Sequence, residues 1–92
     1  MRIALDYDDT FTRDPHRWLE FSNMMRAAGH IVYGVTMRYP GEADGMSPFY
    51  THACDAIFFT GRKAKLAFMN DLDIVINVWI DDSPIFILQD AR

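Results

Sequence analysis

The chain has 92 residues, half of them hydrophobic and 14% aromatic, and a net charge of -4. That is the length of one domain, residues 1–92, with enough apolar content to exclude disorder and to build a core. The acidic balance excludes a broad electrostatic footprint for nucleic acid.

The first apolar run predicts a strand over Arg2 to Tyr7. Asp14-Pro15 reads as an N-cap followed by proline in the first helical turn. Trp18, Phe21, Met25 and Ala28 then recur at helical spacing up to Gly29, a natural C-terminal stop. Ile31 to Thr36 is the second strand. The Pro-, Gly- and Asp-rich stretch from Tyr39 to His52 is a loop, with room for a short helix near Ser47 to Ala53. Ala56 to Phe59 is a short third strand, and a helix from Gly61 to about Asn70 follows, with Leu66 and Met69 inward. Val75 to Ile80 is the fourth strand, and Ile85 to Leu88 adds a last short strand or turn. This alternation predicts an α/β fold: a single doubly wound parallel sheet of four to five strands.

Cys54, the one cysteine, permits no internal disulfide and reads as a small buried residue, as suits a reducing cytoplasm. Acidic residues arrive by position 6, too early for a secretory signal peptide, and no run is long enough to span a membrane. A cytoplasmic location without a membrane partner is therefore expected.

Two of the apolar runs end in acid: Asp6-Tyr7-Asp8-Asp9-Thr10 after the first strand and Asp81-Asp82-Ser83-Pro84 after the fourth. Strand ends that alternate with helical crossovers share one edge of a parallel sheet, where ligands bind in open α/β folds. Taken singly, each Asp reads equally well as a turn residue. Together, Asp6, Asp8, Asp81 and Asp82 would repel one another and raise their proton affinities. A hard divalent cation such as Mg2+, with a phosphate held on it, relieves that repulsion.

Asp6-x-Asp8 after the first strand, Thr36 after the second, a lysine opening the next helix and Asp81-Asp82 after the fourth strand occur in an order that resembles the haloacid dehalogenase superfamily. Its members are mostly Mg2+-dependent phosphatases, and the resemblance stretches from residue 6 to residue 82. It implies a Rossmann-like core in which Asp6 is the nucleophile, forming an aspartyl-phosphate. Asp8 would protonate the leaving alcohol and then activate water. Mg2+ would be held by the Asp6 carboxylate, the Asp8 backbone carbonyl and Asp81, with Asp82 a ligand through water or an orienting group. Thr36 would donate to a phosphoryl oxygen, and the lysine would neutralise its growing charge. Lys65 fits the family spacing better than Lys63, which is then a solvated charge or joins Thr36 and Arg38 in binding substrate.

Two departures from the family pattern stand out. Asp9 occupies the place of a usual glycine, and no stretch is long enough for a cap domain. A capless site suits bulky substrates, or a second copy of the chain supplies the lid as a homo-oligomer. The expected substrate is a phosphorylated small molecule or a nucleic-acid end, with Arg13, Arg38, Arg62 and His52 available to ring the site and bind a second phosphate or a polynucleotide end. Tyr39, Phe49 and Tyr50 could stack on it, whereas Trp18, Trp79, His16 and His30 read as structural. Three other readings stay open: a phosphoacceptor signalling domain, which wants an acid after the third strand where Phe58-Phe59-Thr60 stands; a metal-dependent nuclease, which wants a glutamate on the first strand; and a degenerate member that binds phosphate without turnover.

Overall fold

A computed structural model describes all 92 residues. Four parallel strands, β1 (Arg2–Leu5), β2 (Ile31–Thr36), β3 (Ala56–Phe59) and β4 (Val78–Ile80), form one sheet in the order β3-β2-β1-β4. Four helices connect and close it: α1 (Pro15–Ala27), α2 (Pro48–Ala53), α3 (Lys65–Asp71) and α4 (Ile85–Leu88). Single 3-10 turns lie at Phe11–Arg13 and Pro40–Glu42. The α/β class and the single parallel sheet agree with the pattern of the sequence, and no further domain is inserted between the strands.

Successive side chains of a strand point to opposite faces, and the core divides accordingly. Ile3, Leu5 and Val32 join Phe11, Tyr50 and Ala53 on one face, with Trp18, Leu19, Phe21 and Met25 of α1 packed over them. Ala4 and Val35 join Met69 and Ile76 on the other face, with Phe68 and Trp79 against them. The chain thus runs outward from β1 through β2 to β3 under α1 and α2. It returns past β1 to β4 on the opposite face. The direction of winding reverses between β1 and β4, which makes the edge above them the crevice of the sheet.

Within α1 the one fully buried residue is polar. Ser22 is satisfied by donating to the Ala53 carbonyl of α2, which joins the two helices, while Ala28 lies exposed beyond the apolar stripe. Asp14 occupies the N-cap position, but its side chain makes no capping bond. Gly29 ends the helix at φ 94°, a backbone angle that favours glycine. At α2, Ser47 caps the helix by accepting from the Phe49 N–H.

Four elements differ from the sequence expectation. β1, expected to reach Tyr7, ends at Leu5, because the Asp6 and Tyr7 carbonyls turn to accept from the Thr10, Phe11 and Thr12 N–H groups. The helix expected from Gly61 begins at Lys65, because Gly61 and Arg62 are both left-handed (φ 61° and 70°) and give their N–H groups to Arg38 and Met37. The strand expected from Val75 is only Val78–Ile80. Asn77 ends the ladder early: its N–H reaches the Arg2 carbonyl and its side-chain oxygen takes the Arg2 N–H, in place of a further main-chain pair. Ile85 to Leu88 is helical and packs on α3, since Pro84 opens a turn rather than a strand.

Gly34 shows how tightly β1 and β2 are covered. Tyr50 lies fully buried across them and donates from its hydroxyl to the Leu5 carbonyl at 2.6 Å. A Cβ on Gly34 would stand 2.6 Å from that hydroxyl oxygen and 2.8 Å from the ring carbon bearing it. Gly34→Ala is expected to cost about 2–3 kcal/mol, from overpacking and the displaced hydrogen bond, read as a lower urea midpoint. An unchanged midpoint would show that Tyr50 has room to move.

Candidate active site

The register of the sheet places the site. Leu5 lies opposite Ile80 in the β1–β4 ladder, so the next residues on each strand, Asp6 and Asp81, emerge side by side. The Asp6 N–H extends the ladder by one bond to the Ile80 carbonyl at 3.0 Å. Asp6, Asp81 and Asp82 each bring a carboxylate oxygen into a cluster whose atoms all lie within 4.8 Å of one another. Oxygen donors so arranged could hold a hard cation.

Lys65, the first residue of α3, is buried here and answers the negative charge. Its Nζ donates to Asp6 Oδ1 at 2.7 Å and to Asp81 Oδ2 at 2.5 Å. Lys63 is exposed and lines no part of the cavity, so of the two lysines it is Lys65 that reaches the carboxylates. The turn that delivers Lys65 is held from the chain's end: Asp90 accepts from the Ala64 N–H at 2.7 Å. Removing the ammonium would leave two carboxylates facing each other out of water, a loss of about 3–5 kcal/mol for a buried ion pair.

Thr10 makes a second tie that the sequence reading passed over. Its hydroxyl lies 3.0 Å from Asp6 Oδ2 and 3.0 Å from Asp82 Oδ1, and it accepts the Asp82 N–H at 3.1 Å. One hydroxyl proton serves one carboxylate at a time, so Thr10 links the ends of β1 and β4. The signal was available, since Thr10 closes the acidic motif one turn beyond Asp6. Asp82 is thereby oriented through Thr10, and Ser83 braces Asp81 by donating its N–H at 2.9 Å.

Asp8 stands apart from the trio. Its side chain is half exposed, and both its oxygens are taken by Arg38, from Nε at 2.9 Å and Nη2 at 2.8 Å. Arg38 also lies over the Tyr7 ring, 5.1 Å from its centroid. Thr36 is buried at the end of β2, lines the same cavity and accepts the Arg38 N–H at 3.3 Å, which leaves its hydroxyl proton free to donate. Between Asp8 and Thr10, Asp9 adopts φ 61°, the left-handed angle that a glycine would otherwise supply. Asp accepts that angle more readily than most residues.

The cavity these groups line has a volume of about 160 Å3 and includes Arg62, Ser83 and Phe86. Five carboxylates, Asp6, Asp8, Asp9, Asp81 and Asp82, face three cations, Arg38, Arg62 and Lys65. Arg13 instead pairs with Asp9 on the surface at 3.7 Å, and His52 is exposed on α2 outside the cavity. Tyr50 is core, Phe49 packs at a tilt against His16, and Cys54 is buried with its thiol pushed up to about 12 by burial, so it is no nucleophile.

Burial falls hardest on Asp6. Burial pushes its carboxyl up to about 7; Lys65 opposes this, while Asp81 and the hydrogen bond with Asp82 add to it. Burial also pushes Asp82 upward, but its hydrogen bonds with Asp6, Thr10, its own N–H and Ser83 outweigh that and hold it below the usual carboxylate range. The two carboxyls are driven apart: one keeps a proton that the other gives up.

No family model matches the chain, and no curated protein or solved structure matches it significantly.

The raised Asp6 carboxyl has a consequence for stability. A folded state that binds a proton more tightly than the unfolded chain is favoured at low pH. Its advantage is complete below the ordinary value of 3.8 and is lost as pH rises to about 7. In metal-free buffer the protein is expected to lose up to about 4 kcal/mol across that window through Asp6 alone, and Asp6→Asn to lack this loss. Parallel pH–stability curves for the two proteins would refute the assignment.

Proposed function

We propose that this protein is a Mg2+-dependent phosphomonoester hydrolase that works through an aspartyl-phosphate on Asp6. The observation that carries the reading is the meeting of Asp6, Asp81 and Lys65 at the crevice of the sheet, with Lys65 Nζ 2.7 Å from Asp6. The order of motifs that resembles the haloacid dehalogenase superfamily, which includes these same residues, supports it.

The donor set suits Mg2+: oxygens only, from Asp6, Asp81 and Asp82, in a cavity where carboxylates outnumber cations. The resemblance adds the Asp8 backbone carbonyl. When bound, the ion supplies positive charge that draws the phosphoryl group towards Asp6 and offsets its oxygens. Having given up its proton to solvent, the Asp6 carboxylate attacks phosphorus in line as the leaving alkoxide departs. Lys65 and the Thr36 hydroxyl stabilise charge on the equatorial oxygens. Asp8, after taking a proton from solvent, gives it to the leaving oxygen, then takes one from the water that cleaves the aspartyl-phosphate. For this Asp8 must let go of Arg38, which occupies both of its oxygens. That same pairing favours a second reading, a catalytically weak protein that binds phosphate and metal.

The test is hydrolysis of p-nitrophenyl phosphate with Mg2+ and with EDTA. Activity is expected only with the metal, and Asp6→Asn is expected to lower kcat by about a thousandfold or more. Equal rates in the two proteins would reject the nucleophile. Binding of inorganic phosphate without turnover would favour the second reading, and preference for a phosphodiester would point to a nuclease.

Metal binding has its own readout. Because a ligand that binds only the folded state stabilises it, Mg2+ should raise the Tm of the wild-type protein at pH 8. Asp81→Asn should move the half-effect to roughly tenfold higher Mg2+. An identical Mg2+ response in both proteins would place the ion elsewhere.

A further inference from the structure

The cations of the cavity are unequally occupied. Lys65 is shared by Asp6 and Asp81, and Arg38 gives Nε and Nη2 to Asp8 and Nη1 to the Glu42 carbonyl. Arg62 is the exception. Its Nη1 donates to the Met37 carbonyl at 2.9 Å, and its one acidic partner is Glu42, at 3.3 Å on the exposed rim. No protein group takes its remaining donors, although it lines the cavity.

The position of Arg62 is built rather than incidental. Its backbone is left-handed, a conformation that a residue with a side chain adopts only where its surroundings hold it. They do so from both directions: its N–H donates to the Met37 carbonyl at 2.9 Å, and its own carbonyl accepts from Ala91 at 2.7 Å. The guanidinium rests on the ring of Tyr39, 5.3 Å from the centroid. That ring lies so close to Gly61 that a Cβ there would stand 2.9 Å from it. Glu42 is itself fixed, because its other carboxylate oxygen accepts the Tyr39 N–H at 2.8 Å. A guanidinium pre-set in this way, with donors to spare, forks onto a phosphate in two parallel hydrogen bonds.

We propose that Arg62, backed by Tyr39, binds a second phosphate of the substrate, so that the protein acts on compounds carrying another phosphate near the one transferred. This names a substrate class for the site proposed above and rests on that reading. The cavity has room for little more than the transferred group and its cation, so the rest of the substrate lies along the rim where Arg62 stands. Glu42 opposes an anion there, but its pairing with Arg62 is exposed, and such pairs are weak.

Binding measured without turnover separates this proposal from the hydrolase reading. In the Asp6→Asn protein with Mg2+, adenosine 3′,5′-bisphosphate is expected to bind at least about tenfold more tightly by calorimetry than either adenosine monophosphate. Adding Arg62→Gln should abolish the difference, and Arg62→Lys should keep part of it, as a purely structural role would not. Equal affinities for the bisphosphate and the monophosphates, or a preference that survives Arg62→Gln, would overturn the proposal. If wild-type protein fails to hydrolyse p-nitrophenyl phosphate while the bisphosphate preference holds, the hydrolase reading falls and the Arg62 subsite stands.

Discussion

Two carboxylates at neighbouring strand ends are buried together and share one ammonium group, and the architecture above the sheet follows from satisfying them. The pairing of Leu5 with Ile80 forces Asp6 and Asp81 into proximity whatever their loops do. Charge out of water is tolerated only when paired and hydrogen-bonded. Lys65, Thr10 and Ser83 supply those partners, from a helix start, the first loop and the fourth loop respectively. Burial still outweighs what Lys65 offers, and the Asp6 carboxyl is raised. The oxygens gathered there, from Asp6, Asp81 and Asp82, are of the kind that could hold a hard cation.

Around this centre the loops are wired to one another rather than to the core. The turn at Thr60 to Lys63 hangs on the carbonyls of Met37 and Arg38, and Arg38 in turn grips Asp8 in the first loop. Asp90 and Ala91, nearly at the end of the chain, hold the same turn through Ala64 and Arg62. Left-handed residues fall at two of these joints, Asp9 and Arg62. Each redirects the chain within a single residue, a local strain accepted where loops must pass close to one another. A sheet of four short strands can carry so polar an edge because its two faces are densely covered, with Tyr50 and Met69 fully buried on opposite faces.

Much of this was legible in the residues. The bounds of β2 and β3 follow from apolar runs closed by turn-forming residues, and α1 from its proline start, its apolar spacing and the glycine beyond its end. Convergence of Asp6 and Asp81 followed from topology alone, because parallel strands joined by crossovers end on one edge. Two of the errors share one cause. The start of α3 and the length of β4 were misread because Gly61, Arg62 and Asn77 spend their hydrogen bonds on partners far along the chain, and periodicity carries no trace of those partners.

What the amino-acid order determined by itself was therefore the alternation of elements, the single parallel sheet and the gathering of acids at its rim. These depend on side-chain polarity repeating at the period of a strand or a helix, and that is a local property. Only the tertiary structure decided that Lys65 rather than Lys63 meets the carboxylates, that Thr10 ties Asp6 to Asp82, and that Arg38 occupies Asp8. Thr10 and Asp82 are 72 residues apart. Which groups meet across such a distance depends on how two loops pack, to within the few tenths of an ångström that separate a hydrogen bond from a solvated charge.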